Sequence, residues 1–196
     1  MIDKYVAFEG IDGSGKSTCL ESVSNYLKRQ QEKVHIVKEP YNNCIRDLVL
    51  TQGLSNKALS LLFNADRRLL IEKEIIPSLK TGKWVLSDRT FWSTIAYNSM
   101  SLNKIKAWSL VDFSIEENGT YYIPKTFFID TSVEICLDRV LKRDKSDVIE
   151  NKKDLFKLRA DNYRSLCKSF PDELIRIDST DLSVPQILSK IKKFLT

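Results

Sequence analysis

The 196-residue sequence contains a single histidine, His35, and four cysteines that lie far apart without a C-x-x-C pair. With only one histidine, a histidine metal cluster and a Ser-His-Asp hydrolase can be set aside. The cysteine spacing fits neither a zinc site nor a disulfide framework. We therefore expect reduced thiols in the core at Cys19, Cys44, Cys136 and Cys167.

Long apolar runs are also missing. No stretch approaches the length needed to span a bilayer, and residues 1–4 run straight into a strand-like segment with no signal-peptide region. The hydrophobic content of 42% and the charged content of 29% are ordinary for globular proteins. These features predict one domain over residues 1–196, a cytoplasmic location and no membrane partner.

No tract of one charge sign stands out. The formal net charge is +5, but Lys and Arg alternate with Asp and Glu along the chain. Because no recognised nucleic-acid motif accompanies this charge, a solvated surface with a few phosphate-binding cations is favoured. We expect no nucleic-acid partner.

Short apolar runs alternate with longer segments of helical spacing. This alternation predicts a five-stranded parallel sheet with helices on both faces, and ligands at the carboxyl ends of the strands. The predicted strands, all buried, are residues 5–8, 34–37, 84–86, 126–129 and 174–177. The predicted helices include residues 17–31, 57–80, 94–117, 132–142 and 153–169.

The segment FEGIDGSGKST, residues 8–18, holds three glycines between a predicted strand and a predicted helix. Residues 10–17 fit the P-loop pattern G-x-x-x-x-G-K-[ST], whose backbone N–H groups surround a polyphosphate at a helix N-terminus. Lys16 is expected to reach the β- and γ-phosphates, and Ser17 to offer its hydroxyl to Mg²⁺. The predicted nucleoside triphosphate site comprises Gly10, Ile11, Asp12, Gly13, Ser14, Gly15, Lys16, Ser17 and Thr18.

Asp88 ends the third apolar run, where a Walker B carboxylate would meet the metal. An aspartate at a strand end is also a common cap or turn residue. Beside a P-loop, the metal-binding interpretation is favoured, so Ser17 and Asp88 are the predicted metal ligands.

Two classes of protein could use this loop, a GTP-dependent switch and a kinase. A switch needs an N-K-x-D motif at the end of a buried strand and a separate D-x-x-G motif. The sequence has NKKD at residues 151–154, but polar and charged residues precede it, and its D-x-x-G at residues 12–15 lies inside the P-loop. The kinase interpretation is therefore favoured.

Several further segments stand out, namely EP at residues 39–40, LLFNADRR at residues 61–68, DRTFWSTIAY at residues 88–97 and a basic segment at residues 139–145. Together with the P-loop, they resemble the thymidylate (dTMP) kinase family over essentially the whole chain. The resemblance implies a P-loop kinase with a lid over about residues 139–150, which transfers the γ-phosphoryl group of ATP to dTMP with Mg²⁺ and gives dTDP and ADP. It also implies a homodimer. Another nucleoside monophosphate kinase and a nucleotide-dependent switch remain as alternatives.

The resemblance also implies where the acceptor dTMP binds. Phe63 and Arg67 are four residues apart on a predicted helix and share a face, so a ring can stack on thymine while a guanidinium donates to a carbonyl on its edge. Arg89 would hold the monophosphate, with Arg46 as a second clamp. The other implied contacts are Asp12 with the 3′-hydroxyl, Tyr97 with the deoxyribose, Ser93 and Thr94 near the base, and the EP pair Glu39 and Pro40.

The sequence departs from the family pattern at several positions. The usual EPGGT is EPYNN at residues 39–43, the glutamine that often follows the tyrosine is Asn98, and the arginine usual after the lid aspartate is Val148. Some family members carry a P-loop arginine where this chain has Gly13. We therefore expect lid cations to meet the charge of the transferred phosphoryl group, with Arg143 as the principal cation and Arg139 as its support.

Overall fold

Five parallel strands form the central sheet of the computed structural model, which describes residues 2–49, 53–98, 116–117, 120–121, 123–143 and 150–195. Across the sheet the strands follow the order Val34–Lys38, Trp84–Asp88, Tyr5–Glu9, Lys125–Asp130 and Leu174–Asp178. The five predicted strands are thus confirmed. Their bounds are β1 Tyr5–Glu9, β2 Val34–Lys38, β3 Trp84–Asp88, β6 Lys125–Asp130 and β7 Leu174–Asp178, while β4 Glu116–Glu117 pairs with β5 Thr120–Tyr121 in a separate antiparallel ladder.

Helices connect these strands. Their bounds are α1 Lys16–Arg29, α2 Asn43–Val49, α3 Asn56–Leu70, α4 Ile76–Lys80, α5 Phe91–Asn98, α6 Val133–Arg143, α7 Glu150–Ser169 and α8 Val184–Lys192. A π-helical segment, Ile71–Ile75, joins α3 to α4, and a 3₁₀ turn, Ile2–Lys4, precedes β1. The Ser55 side chain caps α3 by accepting from the backbone N–H of Ala58, which satisfies one of the free donors at the helix start.

Side chains alternate across the sheet, so each strand contributes to a core on either face. Phe8 and Phe127 belong to a cluster that packs against α1 and α8, whereas Phe128 packs on the opposite face against α5, α6 and α7. A third cluster joins Tyr5 and Val85 to α3, the π-helical segment and α4. Helices therefore cover both faces, as predicted.

The register brings three strand ends together. Phe8 of β1 pairs with Asp88 of β3 on one side and with Phe127 of β6 on the other. The loops that follow these strands consequently leave the sheet at adjacent points, which places the P-loop beside Arg89.

Three sequence predictions were wrong in part. Val34–Lys38 and Leu174–Asp178 are the two edge strands and are only partly buried, with Ile36 46% exposed in the first and Arg176 exposed in the second. The helix predicted over residues 94–117 is wrong at its end, since Glu116–Glu117 is a strand. Residues 99–115 lie outside the described residues. Cys44 is exposed on α2, while the other three cysteines are buried as expected.

Two helices, α2 and α8, were not predicted. The helix Asn43–Val49 buries no residue. Its sequence therefore needs little of the apolar spacing from which a helix is predicted, and the helix was missed for that reason. Within the described ranges, no helix is both long and apolar enough to cross a membrane.

Candidate active site

The P-loop runs from the end of β1 to the start of α1 and depends on glycine. Gly13 and Gly15 have φ values of 81° and 90°, which side chains with a Cβ rarely adopt. A Cβ on Gly13 would also overlap the backbone carbonyl of Cys136, because α6 packs directly against the loop. Lys16 is buried at the first position of α1, 3.7 Å from Asp12 Oδ1. Burial and the nearby Arg89 charge lower the pKa of Lys16, which Asp88 and Asp12 oppose.

Ser17 and Asp88 meet where β3 ends. The Ser17 hydroxyl donates to Asp88 Oδ2 at 3.0 Å, and the buried Asp88 Oδ1 has no hydrogen-bond partner among the described residues. A hydroxyl and a carboxylate beside phosphates are the donor set that Mg²⁺ uses when it keeps several waters and binds substrate oxygens. The two residues therefore fit a magnesium ion.

Arg89 follows β3 and adopts a left-handed conformation, with φ 78°. Its Nη2 donates to Asp12 Oδ1 at 2.7 Å, and its Nη1 donates to Ser93 Oγ at 3.0 Å and to the Gly10 carbonyl at 3.3 Å. Burial raises the pKa of Asp12, but the charges of Arg89, Lys16 and Arg159 outweigh burial and hold it below its usual value. Arg89 is thus fixed against the P-loop beside an ionised carboxylate.

Glu9, which the sequence did not single out, organises this turn. It is fully buried at the end of β1 and accepts five hydrogen bonds. The donors are the backbone N–H and hydroxyl of Thr90, the backbone N–H and hydroxyl of Ser93, and the hydroxyl of Tyr163. Because two of them are N–H groups at the start of α5, Glu9 caps that helix from a neighbouring strand.

A cavity of about 560 Å³ opens beside the P-loop. Ten residues were predicted to contact the acceptor. Nine of them line this cavity, and the exception is Arg67. The nine are Asp12, Glu39, Pro40, Arg46, Phe63, Arg89, Ser93, Thr94 and Tyr97. The sequence did not predict the remaining lining residues, which are Lys38, Val49, Asn56, Leu59 and Arg159.

Arg67 lies behind the cavity wall and is only 4% exposed. Its Nε and Nη2 bind both oxygens of Glu39, with Nη2 2.7 Å from Oε2. Nη2 also donates to Thr94 Oγ1, and Nη1 donates to Asn64 Oδ1. Burial raises the pKa of Glu39 and Arg67 opposes that rise, but the bidentate geometry is that of an ionised pair. Of the five guanidinium N–H groups, one on Nη1 is left to donate to a ligand.

The EPYNN segment is held by Asp66, which lies in the segment LLFNADRR, and by Arg46. The buried Asp66 accepts from the backbone N–H groups of Tyr41 and Asn42 at 2.6 and 2.7 Å. Arg46 Nη2 donates to the Pro40 carbonyl at 2.9 Å. These contacts fix the segment along the cavity, although it lacks the glycines of the family pattern.

The predicted lid begins on α6, and its residues 144–149 lie outside the described residues. Arg139 is exposed, and its Nη1 donates to the Gly13 carbonyl at 3.0 Å, which places the guanidinium over the P-loop. Arg143, one turn further, is also exposed. The NKKD segment at residues 151–154 lies within α7, so it does not follow a strand as the base-reading motif of a switch would.

Comparison with known proteins agrees with this geometry. A family model described as thymidylate kinase matches residues 8–191. The chain is 34% identical to a thymidylate kinase of Thermosipho melanesiensis, covering 97% of this chain and 96% of that one. It is 33% identical to a probable thymidylate kinase of Thermococcus onnurineus, covering 95% and 94%. A crystal structure of thymidylate kinase from Ehrlichia chaffeensis superposes with a TM-score of 0.74 at 27% identity, covering 97% of each chain.

Proposed function

Since the chain belongs to the thymidylate kinase family, whose members are phosphotransferases, we propose that it transfers the γ-phosphoryl group of ATP to dTMP and forms dTDP and ADP. One observation carries this proposal. The cavity and the P-loop share Asp12, which contacts Lys16 on the P-loop side and Arg89 on the cavity side. A nucleotide in the cavity would therefore present its phosphate to a triphosphate held by the loop.

The protein's part in such a transfer is positioning and neutralisation of charge, because little covalent chemistry is needed. Lys16 holds the β- and γ-phosphates of ATP, while Arg89 holds the acceptor phosphate in line with them. Ser17 and Asp88 would hold Mg²⁺, which when bound would neutralise charge on the phosphate oxygens. Rigid placement of Arg89 by Asp12 and Ser93 supports its role, since a fixed guanidinium needs little reorganisation during transfer.

Recognition of the base is assigned to Phe63, Arg67, Ser93 and Thr94. Phe63 is part of the cavity wall and offers a ring for stacking on thymine. The remaining Nη1 hydrogen of Arg67 donates to a carbonyl on the base edge, while Glu39 and Thr94 keep the guanidinium plane fixed. Glu39 thereby acts on the base through Arg67, and Pro40 fills the adjoining wall.

Recognition of the sugar and phosphate is assigned to Asp12, Tyr97 and Arg46. The lowered pKa of Asp12 keeps it ionised as an acceptor for the 3′-hydroxyl. Tyr97 packs against the deoxyribose, and Arg46 supplements Arg89 at the phosphate.

Arg143 is proposed as the principal lid cation over ATP and Arg139 as its support. The contact between Arg139 and the Gly13 carbonyl fits a supporting role at the loop. A single domain, a homodimer and a cytoplasmic location stay predictions from the sequence.

A coupled ADP-release assay with ATP and a panel of acceptors tests the proposed function. The panel comprises dTMP, dUMP, dCMP, dGMP and thymidine, each with and without Mg²⁺. We expect the highest kcat/KM with dTMP. We expect no acceptor-dependent ADP release with thymidine, because thymidine carries no phosphate to which the γ-phosphoryl group could be added. Preference for another monophosphate would make the chain a different nucleoside monophosphate kinase, and ADP release independent of any acceptor would contradict a kinase.

A further inference from the structure

Arg159 on α7 lines the same cavity as Arg89, and both guanidinium groups lie near the ring of Tyr97. Its guanidinium carbon lies 4.0 Å from the centroid of the Tyr97 ring, and that of Arg89 lies 5.4 Å from the same centroid. Arg159 is partly buried, and its Nε is fully shielded yet has no hydrogen-bond partner among the described residues. The Nε–H is thus not satisfied within the described part of the chain, and the guanidinium borders the cavity, where its outer N–H groups can donate to a ligand.

The helix that carries Arg159 is fixed relative to the cavity. Asn162 Nδ2 donates to the Ala96 carbonyl of α5 at 2.8 Å, and the Tyr163 hydroxyl donates to Glu9 at 2.7 Å. Tyr163 lies one helical turn after Arg159 and is completely buried. The guanidinium of Arg159 is thus held over Tyr97 by a rigid support instead of reaching in from a loop.

Three cations lie around Asp12 at this corner of the cavity. Lys16, Arg89 and Arg159 all act on Asp12 and lower its pKa against the effect of burial. Glu9 and Asp88 also lie near Lys16, so three carboxylates balance these three cations in charge. Of the three carboxylates, only Asp12 lines the cavity with Arg89 and Arg159. The cavity wall at this corner therefore presents two guanidinium groups and one carboxylate, which favours an anionic ligand.

We propose that Arg159 is a second cation for the acceptor's phosphate group and donates to its oxygens together with Arg89. The proposal rests on the proposed function, because it assumes that a nucleoside monophosphate occupies the cavity. A phosphate monoester offers three oxygens, which is enough for two planar guanidinium groups. Stacking on Tyr97 holds the guanidinium of Arg159 by its face and leaves the N–H groups of its edge to donate.

Substitution of Arg159 by Gln tests the proposal against a matched control, Lys157→Gln. Lys157 is exposed two residues earlier on the same helix, and its substitution removes the same charge. Calorimetric titration would give the affinities for dTMP, thymidine and ATP separately. We expect Arg159→Gln to weaken dTMP binding about tenfold or more, as for a lost hydrogen bond to a charged group, and to change thymidine and ATP binding less than twofold. Lys157→Gln should change all three less than twofold, and Arg159→Lys should recover part of the dTMP affinity.

An equal loss for dTMP and thymidine would overturn the proposal, because Arg159 would then act on the sugar or on the cavity wall. A loss confined to ATP would also overturn it, as would dTMP affinity within twofold of the parent protein. The melting temperature shows whether a variant folds. If Arg159→Gln does not fold, the affinities of Arg159→Lys for dTMP, thymidine and ATP are compared with those of the parent protein instead. The parent protein's own turnover of dTMP tests the proposed function separately.

Discussion

The buried carboxylate of Glu9 accepts a 2.7 Å hydrogen bond from the backbone N–H of Thr90, the residue directly after Arg89. The end of β1 thereby sets the conformation of the turn that follows the neighbouring strand, β3. Arg89 keeps its left-handed φ of 78° within this turn. The position of Arg89 is consequently determined by a residue with which it shares no sequence motif.

Two substitutions of Glu9 separate its hydrogen bonds from its charge. Glu9→Gln keeps an oxygen for the two N–H donors and a polar atom for the hydroxyls, so it should lower the free energy of unfolding by only about 1–2 kcal/mol. Glu9→Ala leaves five donors without an acceptor and should lower it by about 3 kcal/mol or more. Urea unfolding measures both values. Equal effects would show that Glu9 matters for its charge and not for the network.

Arg67→Ala should weaken dTMP binding and also destabilise the protein. Removal of one partner of a buried ion pair leaves the Glu39 charge uncompensated, which costs about 3–5 kcal/mol of unfolding free energy. Adding Glu39→Gln to Arg67→Ala should therefore cost less than the sum of the two single substitutions. In titrations, the loss for dTMP should exceed tenfold while ATP affinity stays near that of the parent protein. Additive stability effects would contradict the ionised pair.

Arg143→Ala should reduce kcat by about two orders of magnitude, as expected for an arginine that neutralises the transferred phosphoryl group. Arg139→Ala should reduce it less. Steady-state assays at saturating dTMP compare the two, and a kcat for Arg143→Ala within threefold of the parent protein would remove Arg143 from this role. Gly13→Arg would not restore the charge at the P-loop, because its Cβ would overlap the Cys136 carbonyl at a φ of 81°.

Cys44 should be the thiol that reacts with iodoacetamide at pH 8. Only the thiolate is the nucleophile, and burial raises the pKa of Cys19 and Cys136 to about 11 and that of Cys167 to about 12. Their thiolate fraction at pH 8 is therefore small, and it increases only as the pH approaches those values. Mass spectrometry should find one modification in the native protein and four after unfolding. Native modification of a second cysteine would contradict the packing around it.

The central strands were predictable from the sequence because parallel strands covered on both faces are short continuous apolar runs. The P-loop was predictable because its glycines, lysine and serine are adjacent in the chain. Edge strand β2 has the same apolar composition as the central strands, so composition could not reveal that Ile36 is 46% exposed.

Contacts between distant parts of the chain were not predictable. Glu39 and Arg67 are 28 residues apart, and only the fold shows that they pair behind the cavity wall. Glu9 and Tyr163 are separated by 154 residues, and a glutamate next to a P-loop gives no sign of five donors. Arg159 has the sequence context of an ordinary helix cation, and its contact with Tyr97 depends on how α7 crosses α5.

Product analysis tests the central claim most directly, namely that a phosphoryl group passes from a triphosphate on the P-loop to dTMP in the adjoining cavity. Anion-exchange chromatography of a reaction with ATP, dTMP and Mg²⁺ should show dTDP and ADP formed in equal amounts. Lys16→Met, which removes the charge at the transferred group, should stay folded and lower kcat by about a hundredfold or more. ADP formed without an equal amount of dTDP, or near-normal turnover in folded Lys16→Met, would contradict the account.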